Sequence, residues 1–128
     1  MKLLVTETDP MVRQWLDAEA AGMGVTMVFA GSRDEALRAI DAELPDCVVL
    51  DASSSSAEVD EPLWRRLRSA PATRDLPLLL YSSSSRWQRV AELAASDVDG
   101  FLARPFTPEA LFCAAQRAAA RRTPGVQA

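Results

Sequence analysis

Pro45-Asp46-Cys47-Val48-Val49-Leu50-Asp51 (PDCVVLD) sets four apolar residues in a row and closes them with an acid. Alternation of apolar and polar residues marks a strand with one wet face, whereas an unbroken apolar run marks a strand covered on both faces, as in a parallel sheet. Outward from this stretch the same signature recurs at residues 3–5, 25–30 and 78–81, with a weaker fifth at 100–103.

Helical patterns separate these runs. Met11, Val12, Trp15 and Leu16 form an apolar stripe, with Arg13, Gln14, Asp17 and Glu19 pointing elsewhere. Ser32-Arg33-Asp34-Glu35 opens a second helix as a capping box; Ala36, Leu37, Ile40 and Leu44 face inward and Pro45 stops it. A third helix runs from about Pro62, burying Leu63, Trp64 and Leu67 and leaving its three arginines outside. A fourth covers about residues 86–95 through Val90, Leu93 and Ala94. Thr107-Pro108-Glu109 opens the last helix with a cap, a proline and an acid, ahead of Leu111, Phe112 and Ala115.

Five strand-helix units predict an α/β fold with a doubly wound parallel sheet, its site at the carboxyl ends of the strands. That rim collects Glu7-Thr8-Asp9, Gly31-Ser32, Asp51-Ala52-Ser53, Ser82-Ser83-Ser84 and Arg104-Pro105. Residues 1–122 read as one domain and 123–128 as a tail or clipped linker.

Composition narrows the chemistry. The 128 residues are 48% hydrophobic and 25% charged, ordinary for one globular domain. No run approaches the roughly 20 apolar residues that span a bilayer, and Glu7 interrupts any secretory segment, so a cytoplasmic protein without membrane contact is expected. A net charge of −4 argues against nucleic acid as a direct partner. Arg65, Arg66 and Arg68, like Arg117, Arg121 and Arg122, read as solvated helix faces. Cys47 and Cys113 lack metal-ligand spacing and are expected to be reduced core residues. The chain has no histidine, which removes the commonest general base and any Ser-His triad. Carboxylates, hydroxyls and arginine remain.

Four stretches in order, LLVTETDPMVR at 3–13, PDCVVLD at 45–51, LPLLLYS at 76–82 and GFLARPF at 100–106, resemble a response-regulator receiver domain, the phosphoryl-accepting module of two-component signalling. The resemblance spans residues 1–122. It implies a (βα)5 flavodoxin-like fold with strand order 2-1-3-4-5. It also implies Asp51 as phosphoacceptor, Ser82 as switch hydroxyl, Phe101 as rotating aromatic, Arg104 in the family's lysine position and a cis bond before Pro105. Receivers bind magnesium through two adjacent acids after the first strand and the phosphoacceptor; here the pocket positions match Glu7, Thr8, Asp51 and Ser53. The implied partners are a sensor histidine kinase or another signalling protein, with a homodimer possible. The implied interaction face carries Arg86, Trp87, Arg89, Val90 and Phe101.

Three departures surround that pocket. Thr8 replaces the acid that normally meets the metal, and a neutral hydroxyl is a poor substitute. Arg104 replaces a compact ammonium with a larger guanidinium that reads carboxylates bidentately. The loop after Asp51 reads Ala52-Ser53-Ser54-Ser55-Ser56-Ala57-Glu58 where an apolar pair, proline and glycine are usual. Together they predict a degenerate receiver in which Arg104 stands in for the missing cation, Mg2+ binding is weakened and Asp51 is phosphorylated weakly or not at all. A general drift from lysine to arginine competes, since only Lys2 of 14 cations is lysine, but leaves Thr8 and the loop unexplained. An ordinary phospho-accepting receiver is the alternative within the family. A flavodoxin-like carrier would cradle a phosphate ligand on residues 53–56 or 82–85, without the glycines such cradles favour. A metal-dependent phosphatase needs a second aspartate where Ser53 stands, so no enzyme beyond self-catalysed phosphoryl acceptance is expected. Asp9 reads as a helix cap, and Trp15 and Trp64 as packing or half-buried surface. Trp87 reads the same way and is also a candidate partner anchor.

Overall fold

The computed structural model describes residues 1–51, 63–82, 98–103 and 106–122, with the backbone alone at Asp51, Ser82, Ala103 and Arg122. Its strands are β1 (Lys2–Thr6), β2 (Thr26–Ala30), β3 (Cys47–Asp51), β4 (Leu78–Ser82) and β5 (Gly100–Ala103). Its helices are α1 (Pro10–Ala21), α2 (Arg33–Glu43), α3 (Leu63–Ser69) and, last in the chain, α4 (Pro108–Arg122). All strand pairs are parallel, in the order β2-β1-β3-β4-β5. The expected doubly wound sheet is therefore present. The helix expected over 86–95 and the tail at 123–128 lie outside the described residues.

Strand parity builds the two cores. Leu4, Val48, Leu50, Leu78 and Leu80 pack on one face with Ala36 and Ile40 of α2 and Leu63, Trp64 and Leu67 of α3. Their neighbours Leu3, Val5, Cys47, Val49, Leu79 and Tyr81 pack on the other with Leu16 and Ala20 of α1 and Leu111, Phe112, Ala115 and Ala118 of α4. Each fully buried aliphatic side chain contributes about 1.5–3 kcal/mol, so neither face of the central strands tolerates a polar residue without a partner.

Capping follows the sequence. Asp9 Oδ1 accepts from Met11 N at 2.9 Å, Ser32 Oγ from Glu35 N at 3.1 Å and Thr107 Oγ1 from Ala110 N at 3.1 Å.

Five burial assignments shift, four of them inward ones and one, Arg68, an outward one. Leu44 is 78% exposed, because Pro45 disfavours helical backbone before it; Leu44 instead caps α2 in the left-handed region, φ 49°, donating its N–H to Ile40 O. Met11 is 78% and Trp15 46% exposed, the buried seam of α1 running through Leu16 and Ala20 instead. Arg68 is not a solvated arginine. Its Nη2 lies 3.0 Å from Asp99 Oδ2, and its Nη1 donates to Arg74 O and Leu76 O. Cys47 is buried as expected, whereas Cys113 is only half-buried; both are free thiols.

Candidate functional site at the carboxyl ends of the strands

The ladders bring the rim residues to one edge. Thr6 pairs with Ala30, Val5 with Val49, Asp51 with Tyr81, and Ser82 with Ala103. The backbones of Asp51 and Ser82 therefore close β3 and β4 on the same edge that Glu7 occupies after β1.

Glu7 is the buried charged residue of this edge, 7% exposed. A carboxylate out of water must be held by donors. Its Oε1 accepts from Thr8 N and Asp9 N, each at 3.1 Å, a small nest of backbone amides. Its Oε2 lies 3.1 Å from the hydroxyl of Tyr81, which also donates to Thr6 O at 2.8 Å. Tyr81 is 1% exposed, and its ring stands edge-on to Phe106, centroids 5.6 Å apart at 74°. Phe106 lies two residues before α4, so one phenol links β1, β4 and the approach to the last helix.

Arg13 frames the β2 side. Its Nε donates to Glu7 O and its guanidinium lies 5.5 Å from the centre of the Phe29 ring. A methyl at Gly31 would sit 3.3 Å from Arg13 Nη2, so the end of the guanidinium would have to give by a few tenths of an ångström. Arg13, assigned by its helical position to a face pointing elsewhere, is instead half-buried against this edge.

Thr8 stands exposed. Asp9 is exposed too, its Oδ1 committed to the α1 cap. Phe101 is half-buried and packs on the core beside α3. Ser53, Arg86, Trp87, Arg89, Val90, Arg104 and Pro105 lie outside the described residues, as do the side chains of Asp51 and Ser82.

The phenol and Arg13 are what sequence reasoning missed. The signal for Tyr81 was its being the one tyrosine of the chain, set inside an apolar strand where a phenol needs a partner. Arg13's was weaker, a cation two turns of sequence beyond the acid.

Magnesium favours several hard oxygen ligands in octahedral array. Among the described residues no group of three or more acidic, cysteine or histidine side chains is placed to hold a metal ion. Glu7 has both oxygens engaged by protein donors, Asp9 caps a helix and Thr8 brings no charge. These donors do not fit the acid pair of an ordinary receiver.

No family model matches the chain. It is 36% identical over 124 residues to response regulator MprA of Mycobacterium ulcerans, covering 96% of this chain and 51% of that protein. It is 29% identical over 126 residues to the virulence transcriptional regulatory protein PhoP of Salmonella typhimurium, covering 98% and 54%. The chain thus spans about half the length of the curated relatives it matches. In fold it is similar to a putative response regulator from Chloroflexus aurantiacus, with a TM-score of 0.76, 28% identity and coverage of 94% and 98%. Among the described residues no helix is long and apolar enough to cross a membrane.

Proposed function

Because this chain is a response-regulator receiver domain of the two-component type, we propose that it signals mainly through protein-protein contact, with phosphoryl acceptance at Asp51 weak or lost. The observation that carries this reading is the state of Glu7. Its carboxylate is buried and satisfied by two backbone amides and a phenol, while the adjacent position that should supply a metal-binding carboxylate is exposed Thr8.

A receiver aspartate accepts a phosphoryl group efficiently when positive charge is gathered opposite it. Here the acids that would gather a divalent ion are reduced in number and engaged in hydrogen bonds. Arg104, in the family's lysine position, extends the same logic: a guanidinium near the acids would neutralise them without leaving a gap for the ion. The partner would be a sensor histidine kinase, another signalling protein or a second copy of the chain. It would meet the face carrying Arg86, Trp87, Arg89, Val90 and Phe101, residue types that anchor interfaces.

The test is incubation with a small acyl phosphate and millimolar magnesium, followed by intact-mass measurement. Little or no adduct is expected. A stoichiometric phosphoryl adduct mapped to Asp51 would make the chain an ordinary phospho-switch and overturn the proposal.

A further inference from the structure

We propose that the chain pairs with a second copy of itself through the sheet face covered by α1 and α4, the α1 of each copy lying along the α4 of the other. The pairing does not depend on phosphoryl transfer at Asp51.

Three observations converge. First, α1 turns large apolar side chains to solvent. Leu16 and Ala20 bury one side of the helix, while Met11, Trp15 and Ala18, spaced i, i+4 and i+7, form an exposed stripe on the other. Second, α4 offers small residues beside that stripe. The two helices touch on the same face of the sheet, and outward from it α4 carries exposed Ala110 and Ala120 and half-buried Cys113. Third, the charges that the two helices expose are opposite. α1 exposes Asp17 and Glu19, its one cation, Arg13, being turned inward to Glu7 O. α4 exposes Arg117 and Arg121, with a single acid, Glu109, in its first turn. Among the described residues the side chains of Asp17, Glu19 and Arg117 make no ion pair or hydrogen bond within the chain.

A two-fold axis laid along the helices makes these differences complementary. α1 and α4 both run back from the carboxyl edge of a parallel sheet, so they point the same way. α1 begins at Pro10, just past Thr6 of β1, and α4 at Pro108, just past Ala103 of β5, so they also start at the same edge. Rotation about that axis sets α1 on the partner subunit's α4, parallel and in step. Trp15 then comes level with the partner's Cys113 and Met11 close to the partner's Ala110, large on small, while Glu19 comes level with the partner's Arg117. Symmetry repeats the contact with the roles exchanged, which makes the face self-complementary. A two-fold across the helices would instead lay α1 on α1, acid against acid, and α4 on α4, arginine against arginine. Helices rise about 1.5 Å per residue and pack about 8–10 Å apart, so the patch measures about 400 Å² per copy against roughly 800 Å² per partner in a standard interface. The pairing is therefore weak and reversible, with a dissociation constant on the order of 100 μM.

The experiment is sedimentation equilibrium of the full chain at concentrations on both sides of that value, beside two variants. Asp17→Lys with Glu19→Lys turns α1 basic to match α4, and Arg117→Glu turns α4 acidic to match α1. Each variant alone should associate at least about tenfold more weakly than the parent, because both contacts then join like charges. An equimolar mixture of the two should associate at least as well as the parent, since both contacts then join opposite charges. A parent that stays monomeric about tenfold above the expected constant overturns the pairing. Undiminished association of either variant, or a mixture no better than its parts, overturns the face assigned to it. A second readout needs no variant. Cys47 is fully buried, so the rate of reaction with an aromatic disulfide reagent reports Cys113, and it should fall severalfold as the parent dimerises. A Cys113 rate equal in monomer and dimer overturns the inference even where a variant fails to fold.

Discussion

The two ends of the sheet each bury an acid, and they satisfy it differently. At the amino end Asp99 meets a full charge: Arg68 Nη2 at 3.0 Å, with side chains only 12% and 7% exposed. The same carboxylate accepts from Leu78 N at 2.8 Å, while the Asp99 backbone donates to Leu78 O and accepts from Arg121 Nη1. That knot ties α3, β4, β5 and the last helix together. At the carboxyl end Glu7 is held by two amides and a phenol. Among the described contacts the amino-end acid is tied by an ion pair and the carboxyl-end acid by neutral donors, so the amino end should carry more of the stability.

The largest contrast comes from cutting the knot. Asp99→Ala removes the carboxylate that Arg68 Nη2 and Leu78 N share and should cost about 3–5 kcal/mol in chemical denaturation. A loss under about 1 kcal/mol would break the comparison, since that is the scale of an exposed pair.

Next is alkaline stability, again at the amino end. Burial first, then the charge of Asp99, pushes the Cys47 thiol up from 9.0 to about 12. The unfolded thiol gives up its proton first, so this contribution is whole below pH 9 and is lost as pH rises toward about 12. The slope in that window approaches about 1.4 kcal/mol per pH unit, and it should disappear in Cys47→Ala. Denaturation curves recorded across the window check it.

At the carboxyl end Tyr81→Phe removes one neutral donor to the Glu7 carboxylate and should cost about 1.5–3 kcal/mol, the range for a hydrogen bond to a charged group. A stability loss larger than that of Asp99→Ala would erase the distinction between the two ends. The smallest effect belongs to Lys2. Its 3.1 Å pair with Glu43 lies between half-exposed side chains, so Lys2→Met should shift stability by about 0–1 kcal/mol and lose that effect in high salt.

Much of the fold was legible in the sequence because both signals are local. Unbroken apolar runs located all five strands, and Asp9, Ser32 and Thr107 announced helix starts through hydrogen bonds spanning two or three residues. What escaped depends on distance along the chain. Tyr81 and Glu7 are 74 residues apart, and Arg68 and Asp99 are 31 apart, so no window of periodicity contains either pair. Met11 was misplaced because one apolar residue at a helix start satisfies a stripe equally well from its exposed edge. At the site, Glu7 and the Asp9 cap were anticipated, Thr8 stands exposed as a neutral group, and the phenol was not foreseen.

The most direct measurement is calorimetric titration of the chain with magnesium beside a Thr8→Asp, Arg104→Lys variant. A rim whose acid is already satisfied from within should give no saturable heat at millimolar magnesium, and the variant should gain a one-to-one isotherm. A saturable one-to-one isotherm for the unmodified chain, unchanged in the variant, would contradict the claim that protein donors have taken the ion's place.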